Sequence, residues 1–225
     1  MSTTKKRNYT HFHIFIHHLL QYCDSTASMT NDCKDILNHI VREVCLHYIR
    51  GCVDLCKHAK KVVIDSNAIE TLTNIWFDEP KILLDFAHDK WEKYSDPKTR
   101  NNKKGMRKEQ KAGLHLSPSR ICALFRENIS AGQQVGEPSY IFLTAIVEKI
   151  IELIIRDAII LTHIDHKKTI NGLYIYRAMN SERLEYLFPL LGDFLIAGFG
   201  TVGNVMLTTS QQEYLLKHKR FASFD

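Results

Sequence analysis

The chain has 225 residues, 44% of them apolar and 24% charged, with 5 Pro and 10 Gly. That is the composition of one globular domain or two small ones, and it excludes collagen, a coiled coil and wholesale disorder. The formal net charge is +5, but its placement says more than its size: residues 1–7 carry Lys5, Lys6 and Arg7 and no acid, and residues 96–111 set seven bases against Asp96 and Glu109. Basic segments beside near-neutral apolar stretches suit a polyanion partner, or a plain solvated linker.

In chain order, Tyr9 to Cys23 reads as a short helix that ends near the Asp24-Ser25-Thr26 turn. Residues 30–58 place Cys33, Ile36, Leu37, Ile40, Val41, Val44, Cys45, Tyr48, Cys52, Leu55 and Cys56 at i, i+3, i+4, i+7 spacing, the stripe of a long amphipathic helix that Thr30 or Asn31 can cap. Asp65 or Ser66 opens another short helix to about Phe77. Pro80 suits the first turn of a fourth helix, which carries Leu83, Leu84, Phe86, Ala87 and Trp91 to roughly Tyr94.

The pattern then repeats. Pro118 starts a short helix to about Glu127, a Gly132 to Pro138 loop follows, and residues 139–163 predict a second long helix striped by Phe142, Ala145, Ile146, Ile150, Leu153, Ile154, Ala158 and Leu161. Asp165 to Thr169 forms a basic turn ahead of short helices over 171–179 and 182–188. Val147, Ile151, Ile155 and Ile159 lie off the stripe of the second long helix, so it needs cover on more than one side. Two like triplets packed on each other supply that cover, which predicts an intramolecular pair of modules.

Several other features weigh less. Glu148, Lys149, Glu152, Arg156 and Asp157 interrupt the apolar run of 141–164, which leaves no charge-free stretch longer than about ten residues where a membrane span needs about 20. MSTTKKRNYTH lacks a signal-peptide core, so the six cysteines (Cys23, Cys33, Cys45, Cys52, Cys56, Cys122) read as reduced packing residues. Gly198 to Gly203 satisfies G-x-G-x-x-G, but too little chain follows for the βαβ unit that a dinucleotide needs. His13 with His17, and Cys52 with Cys56, stand at i, i+4 without further ligands at zinc spacing. No nucleophile elbow, P-loop or paired-carboxylate signature is present, so neither an enzyme nor a cofactor is expected.

Short matches in order carry a resemblance. Ala112-Gly113-Leu114, Arg120-Ile121, Leu124-Phe125-Arg126, Val147-Glu148-Lys149-Ile150 and Asp165-His166-Lys167-Lys168-Thr169 resemble, in turn, the lead-in segment, first helix, central helix and second loop of histone 2A. Leu190-Leu191-Gly192, Ile196-Ala197 and Gly200 to Asn204 resemble the segment with which that family docks onto histones 3 and 4. Ile36-Leu37-Asn38, Leu55, Lys60-Lys61, Ile64-Asp65-Ser66 and Ile69-Glu70-Thr71 resemble histone 2B. A 2B-like unit fused ahead of a 2A-like unit is similar to the histone doublets of marseillevirus-type giant viruses.

The resemblance implies an all-α protein of two histone folds, each short-long-short, paired intramolecularly head to tail. It divides the chain into a basic tail (1–8), a 2B-like fold with an extra C-terminal helix (9–95), a basic linker (96–111), a 2A-like fold (112–192), and a docking segment with tail (193–225). The implied role is packaging of double-stranded viral DNA, in the virion and in the host nucleus or viral factory, with a histone 3/4-like doublet or tetramer as partner and no membrane or small-molecule substrate. Thr30 and Asn31 at a helix N-terminus, Lys60 and Lys61, and Lys167, Lys168 and Thr169 are the expected phosphate contacts. Arg120 and Arg126 are expected to face phosphates as well, and the linker bases Lys103, Lys104, Arg107, Lys108 and Lys111 to add a salt-sensitive term. Phe194, Ile196, Ala197, Gly200, Val202 and Asn204 are the expected docking residues.

Departures from the family also carry expectations. Gln133-Gln134 stands where the family places an arginine into the minor groove, and Lys168-Thr169-Ile170 lacks another arginine, so the grip on DNA should be weaker. Glu148 and Glu182 match acids of the family's docking surface, while Leu153, Arg156, Ser181 and Arg183 fall at or near others. The rival reading is a histone-fold interaction module of a transcription or assembly complex that touches DNA only incidentally.

Overall fold

A computed structural model describes residues 11–97 and 105–187. In chain order these residues form α1 (His13–Cys23), β1 (Ser28–Met29), α2 (Asn31–His58), β2 (Val63–Ile64), α3 (Ser66–Trp76), α4 (Lys81–Ser95), α5 (Lys108–Ala112), α6 (Pro118–Asn128), β3 (Gln134–Val135), α7 (Glu137–Ile164), β4 (Thr169–Ile170), α8 (Gly172–Met179) and a closing 3-10 turn (Glu182–Leu187). The short-long-short order therefore occurs twice. The starts and ends of the two long helices, the strands after them and the helices that follow are all offset by 106 residues: Asn31 to Glu137, His58 to Ile164, Val63 to Thr169 and Ser66 to Gly172.

Local chemistry fixes these boundaries. The Thr30 hydroxyl accepts from the Cys33 amide at 3.4 Å, the Asp65 carboxylate from Ala68 at 3.0 Å, and the Asn171 side chain from Leu173 at 3.1 Å and Tyr174 at 3.3 Å. Each cap satisfies a backbone donor that the first helical turn leaves open, at about 1 kcal/mol apiece. Both long helices end alike. Lys60 and His166, 106 residues apart, take φ of 53° and 52°, and the next residues close the turn backwards, Lys61 N–H onto Cys56 O and Lys167 N–H onto Thr162 O, each at 2.9 Å. That left-handed stop turns each chain sharply into its second loop.

Packing follows the stripes. On α2 the inward side chains run Cys33, Leu37, Ile40, Val41, Val44, Cys45, Tyr48, Cys52 and Cys56, all buried. The off-stripe residues Val147, Ile151, Ile155 and Ile159 of α7 are buried too, because α1, α2, α3, α4, α6 and α8 all pack against that helix. One continuous apolar core results, running from Phe12 to Leu187 through both modules. Tyr48 is wholly buried within it and meets the Thr73 hydroxyl at 2.9 Å, and Thr73 donates on to Ile69 O at 2.8 Å. All six cysteines are unbridged and, Cys23 apart, buried; burial pushes the Cys23 thiol up to about 11 and the Cys33 thiol to about 12.

The two modules meet head to tail at two parallel ladders. Ser28 pairs with Thr169 and Met29 with Ile170; at the other end Val63 pairs with Gln134 and Ile64 with Val135. Each ladder joins the first loop of one module to the second loop of the other.

Two expectations change. The segment read as linker over 96–111 ends in a short helix, α5, which stops at Gly113 with φ of 65°. Residues 182–187 form a 3-10 turn instead of an α-helix, closed by Leu184 N–H onto Ser181 O at 3.0 Å, since six residues offer little i to i+4 bonding.

Candidate nucleic-acid interface

The ladder between Ser28–Met29 and Thr169–Ile170 gathers one group of expected residues. Ser28 N–H donates to Lys168 O at 3.3 Å, Thr30 N–H to Ile170 O at 3.0 Å, and the Ser28 and Thr169 hydroxyls meet at 2.8 Å. The basic turn Lys167-Lys168-Thr169 is thereby locked beside the N-terminus of α2, where Thr30 caps and Asn31 is exposed. Lys167 and Lys168 are both exposed. Asp165, one step before this turn, is held below the usual carboxylate range by Arg177 and Tyr174, which donate to it at 2.7 and 3.0 Å. Its charge is tied back to α8, leaving the two lysines as the protruding charges of the turn.

The opposite ladder gathers Lys60 and Lys61 beside Gln133 and Gln134. Gln134 N–H donates to Val62 O at 2.9 Å, Gly136 N–H to Ile64 O at 3.0 Å and the Ser139 hydroxyl to Ile64 O at 2.7 Å. Here Lys61 forms an exposed ion pair with Asp65 at 3.3 Å. No side chain caps α7, which starts after Gly136, and its first turn holds Glu137.

Glu137 anchors a network that sequence reasoning missed. Lys108 of α5 donates to it at 2.5 Å, Tyr94 of α4 at 2.8 Å and Tyr140 at 3.0 Å, and Lys108 also bonds the Tyr140 hydroxyl and sits over its ring. Burial would raise the Glu137 carboxyl, but these three donors outweigh it and hold it down at about 2. Lys108 is raised in turn: burial opposes the shift, and the bonds to Glu137 and Tyr140 prevail. Lys108 is thus a strap from the linker to the first turn of α7, where Tyr94 of the first module also binds, and not a free contact for phosphate. The signal in the sequence was the capping pattern of Lys108 to Ala112 beside Gly113, hidden within a charge run.

Other expected residues scatter. Arg107 is exposed, its amide donating to the Gln110 side chain at 3.2 Å, and Lys111 is half-buried in α5. Arg120 turns inward towards the first module: its guanidinium donates to His11 O and lies over the Phe15 ring at 5.1 Å. Arg126 is exposed near the end of α6. Lys103 and Lys104 lie outside the described residues, as do the docking residues Phe194, Ile196, Ala197, Gly200, Val202 and Asn204.

The expected acidic surface needs a correction. Glu182 is exposed, but Glu148 is only 1% exposed. It accepts from the His115 and Leu116 amides at 2.6 and 2.7 Å and so clamps the segment ahead of α6 onto α7. Burial pushes this carboxyl up to about 7 against the pull of those amides and of Lys90. The lead-in segment closes over the carboxylate, a tertiary contact that spacing along one helix does not reveal. Among the described residues, no group of three or more His, Cys, Asp or Glu stands close enough to hold a metal ion, and no helix is long and apolar enough to cross a membrane.

No family model matches the chain. No curated protein matches it either. Among solved structures it is similar to the histone from Methanopyrus kandleri, with a TM-score of 0.51 and 10% identity over 75% of this chain and 92% of that one. Together with the paired short-long-short modules and their ladders, that likeness makes the fold all-α and histone-like, two histone folds joined head to tail in one chain.

Proposed function

We propose that this chain is a structural DNA-packaging protein: a fused histone 2B/2A-like pair that joins a histone 3/4-like doublet or tetramer and wraps viral DNA, without sequence specificity and without catalysis. What carries the reading is the ladder that sets Lys167, Lys168 and Thr169 beside the N-terminus of α2 at Thr30 and Asn31. Protruding ammonium groups next to the positive end of a 28-residue helix, with hydroxyls between them, form a surface for phosphate oxygens. Such a surface engages backbone and not base edges, so binding depends little on sequence and strongly on salt. The virion and the host nucleus or viral factory are the places where such packaging would occur.

The test is nuclease protection after reconstituting this chain with a histone 3/4-type doublet or tetramer on DNA, across a salt series. A discrete protected fragment that requires both proteins is the expected result. Protection no better than the 3/4 partner alone, with the two proteins still associating, would favour the interaction module and overturn the packaging role.

A further inference from the structure

The middle of α7 carries a second charged surface of different make. Lys149 and Arg156 flank Glu152 there, donating to it at 3.3 and 2.7 Å, and Glu152 itself is buried, so the carboxylate is covered by one exposed cation, Arg156, and one mostly buried one, Lys149. The Lys149 ammonium lies 5.2 Å from the Phe86 ring, and Lys90 lies over the same ring at 4.7 Å. On the far side the Arg156 guanidinium stands 5.9 Å from the Tyr22 ring, which meets the His115 ring at 4.8 Å, tilted by 39°, and is 61% exposed as a residue. Side chains from α1, α4, α7 and the segment before α6 therefore make one connected strip of cations and aromatic rings. Nearby on α4, Asp89 is tied to Lys93 at 2.7 Å and adds no free acid.

Charge and shape together choose the occupant. Within the sequence, the segments outside the described residues do not complement this strip: 1–10 has three bases and no acid, 98–104 has four bases and no acid, and 188–225 balances three bases against three acids. Within the fold, Glu152 and Glu148 offset part of the charge of the three cations, and an acidic partner can offset the rest. The strip is also set apart from both ladders, since Lys149 lies about 18 Å along the helix axis from Glu137 and Arg156 about 12 Å from Ile164. Two of its three cations are recessed, the Lys149 side chain being 19% exposed and Lys90 half-buried, and only Arg156 is exposed. A broad duplex meets protruding lysines well and recessed ones poorly, whereas an extended peptide can lower single carboxylates between the rings and rest an aromatic side chain on Tyr22. We infer that the Tyr22–Phe86–Lys90–Lys149–Arg156 strip is a docking site for an acidic peptide segment of a partner protein, separate from the DNA-facing loops.

The test uses the full chain and a short fluorescein-labelled peptide of alternating Asp and Glu around one Tyr, read by fluorescence anisotropy. Saturable binding is expected, weakened about tenfold by Arg156→Gln, the loss of one charge-assisted contact, and about threefold by Tyr22→Ala, which removes an exposed ring. Helix content by circular dichroism controls for folding, and Tyr22→Ala keeps the test valid if Arg156→Gln disturbs Glu152. A Lys167→Gln, Lys168→Gln double variant should bind the peptide as the parent does, and duplex DNA should bind alongside the peptide. Displacement of the peptide by duplex, loss of binding in the loop variant but not in the strip variants, or no saturable binding at all would overturn the proposal.

Discussion

The two ladders share one backbone design and differ in chemistry. At both ends a long helix stops at a residue with φ near 52°, and a buried isoleucine, Ile64 or Ile170, pins the strand. At the β1–β4 end the loop charges, Lys167 and Lys168, stand beside a hydroxyl pair and a capped helix N-terminus whose first turn holds the exposed Asp32. At the β2–β3 end Lys61 is spent on Asp65, the facing loop offers Gln133 and Gln134, and the first turn of α7 holds Glu137 bound to Lys108. The repeated scaffold thus carries the same apolar anchors at both ends and differs in the charges around them. Coulomb interactions at the surface are easily redistributed, whereas a buried isoleucine has few replacements that fill the same space.

The largest expected effects test the shared half of that comparison. Ile64→Ala and Ile170→Ala each empty a fully buried site and should cost about 2–5 kcal/mol, by similar amounts, in chemical denaturation. A clear inequality would show that the two ends are not structurally equivalent. Next comes pH, because α7 carries two carboxylates shifted in opposite directions. Glu137 has a lowered folded value, about 2, so its contribution is present above its unfolded value near 4.5 and lost as pH falls through about 2. Glu148 is raised to about 7, so its contribution is present below its unfolded value near 4.5 and lost as pH rises through about 7. Denaturation from pH 3 to 8 should accordingly show stability falling at both extremes, and Glu148→Gln should remove most of the loss between about pH 5 and 8. Retention of the full alkaline loss in that variant would assign it to another group.

Smaller effects sharpen the asymmetry. Thr30→Ala removes the side-chain cap of α2 and should cost about 1 kcal/mol, while Gly136→Ala at the matching position of α7 removes no cap. Smaller still, Lys60→Gly should relieve the left-handed stop after α2, offset in part by greater freedom of the unfolded chain, for a net gain of about 0.5 kcal/mol in thermal denaturation. Destabilisation by Lys60→Gly would mean that its side chain, not its backbone, holds the loop.

Much of this was legible in the residues. Apolar periodicity gave both long helices to within two residues at each end, Thr30, Asp65 and Pro118 marked helix starts, and the off-stripe isoleucines of the second long helix required a second module as cover. The loop lysines also emerged as exposed surface groups. What stayed hidden depends on contacts between residues far apart in sequence. Nothing local says that Glu148 is covered by the His115 and Leu116 amides, that Arg120 reaches His11, or that Lys108 leaves the linker's charge run to bind Glu137. The equal offset of 106 residues was available as a signal, and it would have set Lys61 against Lys167 and shown how differently the two loops are charged.

The most direct measurement is the salt dependence of duplex affinity for the parent chain and for two double variants, Lys167→Gln with Lys168→Gln and Lys60→Gln with Lys61→Gln. Each phosphate contact removed lowers the slope of log affinity against log salt by about 0.9. A fall of about 2 is expected for the first variant and about 1 for the second, with the weaker affinity in the first. Equal falls would contradict the asymmetry between the two ends, and unchanged slopes in both variants would contradict DNA binding through the loops altogether.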